Sequence, residues 1–212
     1  MKIDGWLVAL DGTANKDRLG ANAILGTSMA VARAAAASAG VPLYRYLRPQ
    51  DAYSLPVPTI NVINGGAHAA NALDFQEFML VPIGASTMAE AVRWGAETFH
   101  ALKKILKDAG HVTSVGDEGG YAPNITTAEE ALDLLVSAIE RAGYTVGSDI
   151  RVSMDPATSE LYQNGQYEFR KSGQPTLTTA EMIAMMERLV DQYHPIFIED
   201  GLAENDWGAG RS

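Results

Sequence analysis

The 212-residue chain has no cysteine and only four histidines, and its basic residues (16) are outnumbered by its acidic ones (26). Without cysteine there are no disulfides, no thiolate catalysis and no cysteine-based zinc sites. The formal net charge of −10 argues against a nucleic-acid surface or an anionic membrane as partner. No segment approaches the roughly 20 consecutive apolar residues that a membrane span requires, and MKIDGWLVALDG lacks the apolar core and cleavage site of a leader. A soluble, cytoplasmic protein is the expectation. With 47% hydrophobic and 20% charged residues, the composition is that of an ordinary globular chain.

The most informative stretch is VGDEGGYAPN, residues 115–124. Asp117 and Glu118 stand side by side in a turn bracketed by Gly116, Gly119 and Gly120, which leave no side chains to crowd a ligand. Two like charges in a tight, poorly solvated turn oppose each other's ionisation, so one is expected to keep its proton and serve as a general acid. Asp and Gly are also ordinary turn residues, which is the bland alternative.

Periodicity outlines the rest. Residues 21–39 read as an Ala-rich helix, stopped by Gly40 and Pro42, that packs closely on a neighbour. A Pro- and Tyr-containing connector (42–58) marks a domain boundary, giving domains 1–50 and 51–212. Residues 59–63 and 75–82 read as strands close enough to pair antiparallel. Three capping signatures then open helices: Thr87 with Glu90, Thr126 with Glu129, and Thr178 with Glu181. The last two helices each precede a short apolar strand, 150–154 and 196–198, the alternation of an α/β fold with parallel βα units. Between them, LYQNGQYEFR forms a small hairpin turning at Asn164-Gly165.

Asp155 and Glu199 directly follow those two strands, which places them at the C-terminal ends of successive parallel strands, where α/β barrels carry their chemistry. Two carboxylates aimed at one point repel unless a cation lies between them, and all-oxygen ligation suits Mg²⁺. Alternatively each caps its following loop; Asp200 fits that structural part better than Glu199 does.

LDGTANKDRLGANAILG (10–26), LPVPTINVINGGAHAANALDFQEFMLVP (55–82), VGDEGGYAPN (115–124), SMDPATSE (153–160) and IFIEDGLAENDW (196–207) closely resemble the bacterial type of enolase, the phosphopyruvate hydratase family. The resemblance is nearly continuous from Ile3 to Trp207. It implies a TIM barrel whose first two strands pair antiparallel, represented here by its first four strands and preceded by the helical end of an α+β N-terminal domain. It implies a Mg²⁺-dependent lyase of glycolysis that interconverts 2-phospho-D-glycerate and phosphoenolpyruvate, homodimeric and cytoplasmic, with family members also at the cell surface or secreted.

By resemblance, Glu118 is the general acid for the hydroxyl leaving carbon 3, Glu77 the carboxylate that shares that duty, and Gln76 a substrate contact. His68 lies near the phosphate and leaving-group end; without the resemblance it would read as a surface or capping histidine, like His100, His111 and His194. Asp155 and Glu199 are two of three Mg²⁺ carboxylates. The GDEGG and QEF motifs set the chain apart from racemase-type relatives, which place lysines or histidines where enolase has these glutamates.

The resemblance also implies absences. The third metal carboxylate, the lysine base, the residues gripping the substrate's carboxylate and phosphate, and the serine loop of the second Mg²⁺ have no counterpart. The final GAGRS departs from the family's pattern. A truncated enolase follows, expected to have little activity alone, weak Mg²⁺ affinity, two unpaired sheet edges and an uncovered apolar inward surface. The alternative is a non-catalytic piece that oligomerises or complements a separate C-terminal half.

Overall fold

The structure, a computed structural model, describes residues 2–207, so the closing GAGRS lies outside the described residues. The chain divides into two compact units, 1–54 and 55–212.

The first unit is helical: α1 (Lys2–Asp11), α2 (Ala21–Ser38) and the short α3 (Leu43–Leu47). The expected helix over 21–39 is therefore present, and Gly40 follows it with φ of +66°. Its packing departs from expectation. Only Ile24 and Ala36 are buried on α2, while Leu25 and Met29 are 58% and 48% exposed. No periodicity announced α1, because KIDGWLVALD carries apolar residues on every side; its Trp6 is 69% exposed.

The second unit is built on a three-stranded sheet of β1 (Ile60–Asn64), β2 (Glu77–Val81) and β3 (Arg151–Asp155), in that order. β2 runs antiparallel to both neighbours, and β1 carries a register shift between Asn61 and Ile63. The antiparallel first pair agrees with the sequence. The expected fourth strand is reduced to a single parallel bridge, Met154 to Ile198, supported by Ile196 N–H to Val152 O (2.9 Å) and Glu199 N–H to Met154 O (3.0 Å). Three residues leave room for little more.

Residues paired across strands share a face. Ile63, Phe78, Leu80, Val152 and Met154 are fully buried or nearly so. They form one core with Leu102 and Leu106 of α4 (Met88–Asp108) and with Leu132, Leu135 and Ile139 of α5 (Ala128–Arg141). The hairpin β4 (Tyr162–Gln163) and β5 (Gln166–Tyr167) turns where expected, with Asn164 and Gly165 at φ of +53° and +82°. α6 (Thr179–Tyr193) adds Met182 and Leu189 to the core.

The opposite face of the sheet corrects an expectation. Asn61, Asn64, Glu77, Arg151, Ser153 and Asp155 occupy it by register, with Met79 and Val81 buried between them. That face is mainly polar, not a bare apolar surface. Nor is the outer edge of β1 wholly free: Tyr121 donates to Val62 O and accepts from Asn64 N–H, both at 2.8 Å. The open edge lies at the other side, where Ile196 and Phe197 are each 38% exposed.

Two helix starts differ in detail. The box that opens α5 is Thr127 with Glu130, one residue later than Thr126 with Glu129. Tandem threonines and tandem glutamates offer both registers; the later start puts Ala128, Ala131 and Leu135 on the buried face. At α4, Thr87 caps Glu90 N–H (3.1 Å), but the Glu90 carboxylate turns back to Ser86. The α6 box, Thr178 with Glu181, forms as expected.

Candidate functional site

The GDEGG turn is held against β1. Val115 and Tyr121 pair antiparallel and close a small hairpin, and Tyr121 joins it to the β1 edge through the two bonds above. Its ring stacks on Phe99 of α4 at 4.1 Å between centroids and 5° between planes. Beneath the turn lies the Asn64 side chain, fully buried. A Cβ at Gly120 would stand 2.3 Å from Asn64 Oδ1, and one at Gly116 2.6 Å from the His68 carbonyl and 2.7 Å from Asn64 Nδ2. Those two glycines are close approaches; Gly119 instead supplies a left-handed φ of +83° in open space.

Glu118 thereby comes to the end of the sheet at which β2 starts with Glu77. His68 enters from the 3-10 turn Gly66–His68, fixed on one side by Asp117 N–H to His68 O at 3.1 Å. Its Nδ1 is 3.2 Å from Glu77 Oε1, a close contact without hydrogen-bond alignment that becomes an ion pair when the imidazole carries a proton. Ligand atoms of His68, Glu77 and Glu118 all lie within 4.8 Å of one another. Glu77 is directly opposite Asp155 on β3 and opposite Asn64 on β1. Gln76 precedes Glu77, half-buried, and its carbonyl accepts Gly65 N–H at 2.9 Å.

Solvation corrects the first reading of the turn. Asp117 and Glu118 are both exposed, so the turn is not poorly solvated. The half-buried carboxyl is Glu77. Burial first, then the charges of Asp155 and Glu118, push it above the ordinary carboxylate value, while His68 pulls the other way. The cause is long-range: sheet register sets Glu77 among acids that are distant in sequence.

Asp155 ends β3 and is half-buried, and its Oδ1 accepts Ala157 N–H at 2.9 Å. Burial raises its carboxyl most, that hydrogen bond opposes the rise, and the charges of Glu199 and Asp200 add to it. Glu199 is exposed, one residue past the Ile198 bridge. The Asp200 carbonyl accepts both Thr158 N–H (3.1 Å) and Thr158 Oγ1 (2.9 Å), which stitches the loop after Asp155 to the loop after Glu199. So Asp200 does have a structural part, though through its backbone.

Of the six candidates, His68, Glu77 and Glu118 meet at one end of the sheet; Asp155 pairs with Glu77 across the strands, Glu199 is sensed by both as a nearby charge, and Gln76 adjoins Glu77 in the chain. Carboxylates whose neighbours' charges help push Glu77 and Asp155 above their ordinary values fit a hard divalent cation, which would relieve the repulsion. Asn64, buried beneath the turn, was not singled out as a site residue from the sequence. Only the Asn-Gly-Gly run hinted at Asn64.

Two family models match the chain. Residues 1–47 match the family described as "Enolase, N-terminal domain", and residues 52–211 match "Enolase, C-terminal TIM barrel domain". "Enolase 1" of Methylococcus capsulatus is 56% identical over 210 residues, covering 99% of this chain and 50% of that protein. The chain spans about half the length of that relative.

Proposed function

The chain belongs to the enolase family, and from that premise we propose that it carries the acid and metal-binding side of a Mg²⁺-dependent phosphopyruvate hydratase site. The reaction is the reversible dehydration of 2-phospho-D-glycerate to phosphoenolpyruvate, a glycolytic step, in a cytoplasmic homodimer. Residues 1–50 form the end of its N-terminal domain and 51–212 the first half of its barrel. The observations that carry this reading are the convergence of Glu77 with His68 and Glu118 within ligand distance and the cross-strand pairing of Glu77 with Asp155.

In this reading Asp155 and Glu199 hold Mg²⁺. When bound, the cation withdraws charge from the substrate carboxylate and makes the proton on carbon 2 more acidic. A base outside the motifs matched here would take that proton; its electron pair becomes the double bond between carbons 2 and 3 as the bond from carbon 3 to its hydroxyl breaks and the hydroxyl departs as water. Glu118, exposed at the tip of its turn, delivers the proton that the hydroxyl takes. Glu77, whose carboxyl keeps a proton more readily, shares that duty and can resupply it. His68 lies beside Glu77 at the leaving-group end, and Gln76 contacts substrate.

The lysine base and the third metal carboxylate have no match among the family motifs present. The chain alone is therefore expected to turn over little. A complementing piece is the second reading, favoured by the single-bridge fourth strand and the exposed Ile196 and Phe197. One experiment tests both: mix the chain with a polypeptide supplying the remainder of a relative's barrel, and follow phosphoenolpyruvate by the ultraviolet absorbance of its double bond. Turnover that Glu118→Gln abolishes supports both readings. Turnover by the unmixed chain, or insensitivity to Glu118→Gln, contradicts them.

A further inference from the structure

Outside the carboxylate cluster, the densest polar contacts spanning long sequence distance in the second unit run through one lysine. Lys171 Nζ donates to Gly66 O at 2.7 Å, Ala69 O at 2.8 Å and Asn71 Oδ1 at 3.4 Å. An ammonium has three donors, and here all three have acceptors in the loop that carries His68. The hold is returned. Asp74, 4% exposed, accepts Lys171 N–H and Ser172 N–H at 2.9 Å each, and the Ser172 hydroxyl as well. Residues 66–74 and 171–172 therefore clasp each other in both directions, a cation over carbonyls one way and a carboxylate over amides the other.

The far end of the loop has separate anchors, since Asn71 Nδ2 donates to Asn64 O and Pro123 O at 2.9 Å each. Around His68 the loop makes the local bonds His68 N–H to Gly65 O (3.0 Å) and Gly66 N–H to Leu73 O (2.9 Å), and it is tied to distant segments by the Asp117 amide on one side and Lys171 on the other. Half-burying an ammonium is costly, and burial lowers the Lys171 pKa while Asp74 opposes the fall. A leucine or methionine would fill the same space without that cost. What the charged group adds is a fixed position for three carbonyl-type oxygens of an irregular loop.

We propose that Lys171 is a positioning residue for the site, holding the 66–71 loop so that the His68 ring faces Glu77. This rests on the reading of His68 as a site residue, but its test follows the loop and not turnover, so either can fail without the other. In Lys171→Met, which keeps the apolar stem, amide hydrogen exchange within 66–71 should quicken by about ten-fold or more. The His68 imidazole resonances should shift, while exchange in α5 and the resonances of His100, His111 and His194 hold. Unchanged exchange in 66–71 would overturn the proposal, and so would an equal rise in α5, which marks general destabilisation. If the variant does not fold, reductive methylation of the unaltered chain decides. Lys171 should react about ten-fold more slowly than Lys103 on the exposed face of α4, and equal rates would overturn the clasp.

Discussion

Replacing Gly120 by alanine tests how Glu118 is placed. The new Cβ would lie 2.3 Å from Asn64 Oδ1, 2.8 Å from the Val62 carbonyl carbon and 2.9 Å from Ile63 N. Ordinary contact begins near 3.5 Å, so the amide must retreat by more than about 1 Å and the β1 backbone by roughly half that. Neither has room. Asn64 is fully buried beneath the turn, and β1 is pinned on its other side by its ladder to β2. The cost should reach the upper end of the overpacking range, about 2–3 kcal/mol. Gly119→Ala, one residue away, meets nothing within 4 Å and pays only for its φ of +83°, about 1 kcal/mol. Urea unfolding followed by circular dichroism, compared at equal m-values, separates the two. A Gly120→Ala cost equal to or below that of Gly119→Ala would refute the claim that the turn is seated on β1 through Asn64.

Glu77→Gln should flatten the pH dependence of stability. The folded Glu77 carboxyl sits above its ordinary value of 4.5. Its stabilising proton is fully bound below that value and is lost as pH rises through the folded pKa. The unaltered chain should therefore lose Tm relative to the Gln variant across that window in calorimetry; parallel curves would contradict the assignment. Thr127→Ala should cost about 1 kcal/mol in urea unfolding by removing the α5 cap. Glu130, held below the ordinary range by the Thr126 and Thr127 amides, gives support present at neutral pH and lost as pH falls through its folded pKa. The difference between Glu130→Gln and the unaltered chain should accordingly vanish in acid. Leu135→Ala, fully buried between helix and sheet, should cost about 2–5 kcal/mol in the same unfolding assay.

Much of this was legible locally. Glycine brackets, an Asn-Gly turn and Thr-x-x-Glu boxes state their chemistry within four residues: the turn at 164–165 and the box at Thr178 form where read, and Thr87 caps its helix although Glu90 bonds Ser86 instead of closing the box. What was not legible depends on distant partners. Glu118 looked like the carboxyl with the disfavoured charge, yet solvent reaches it, while Glu77 acquires that character from burial first and then from the charges of Asp155 and Glu118, which are distant in sequence. The clasp between Asp74 and Lys171 joins segments that no periodicity connects. α1 escaped because an apolar residue on every face gives no period to find.

The most direct test of the account is where a divalent cation settles. Mn²⁺, a paramagnetic stand-in for Mg²⁺, should broaden the amide signals of Met154, Asp155, Ala157 and residues 198–200 first, with Glu77 close behind, and Asp155→Asn should remove that preference. Broadening spread evenly over exposed acids such as Glu140 and Glu187, or unaffected by Asp155→Asn, would contradict it.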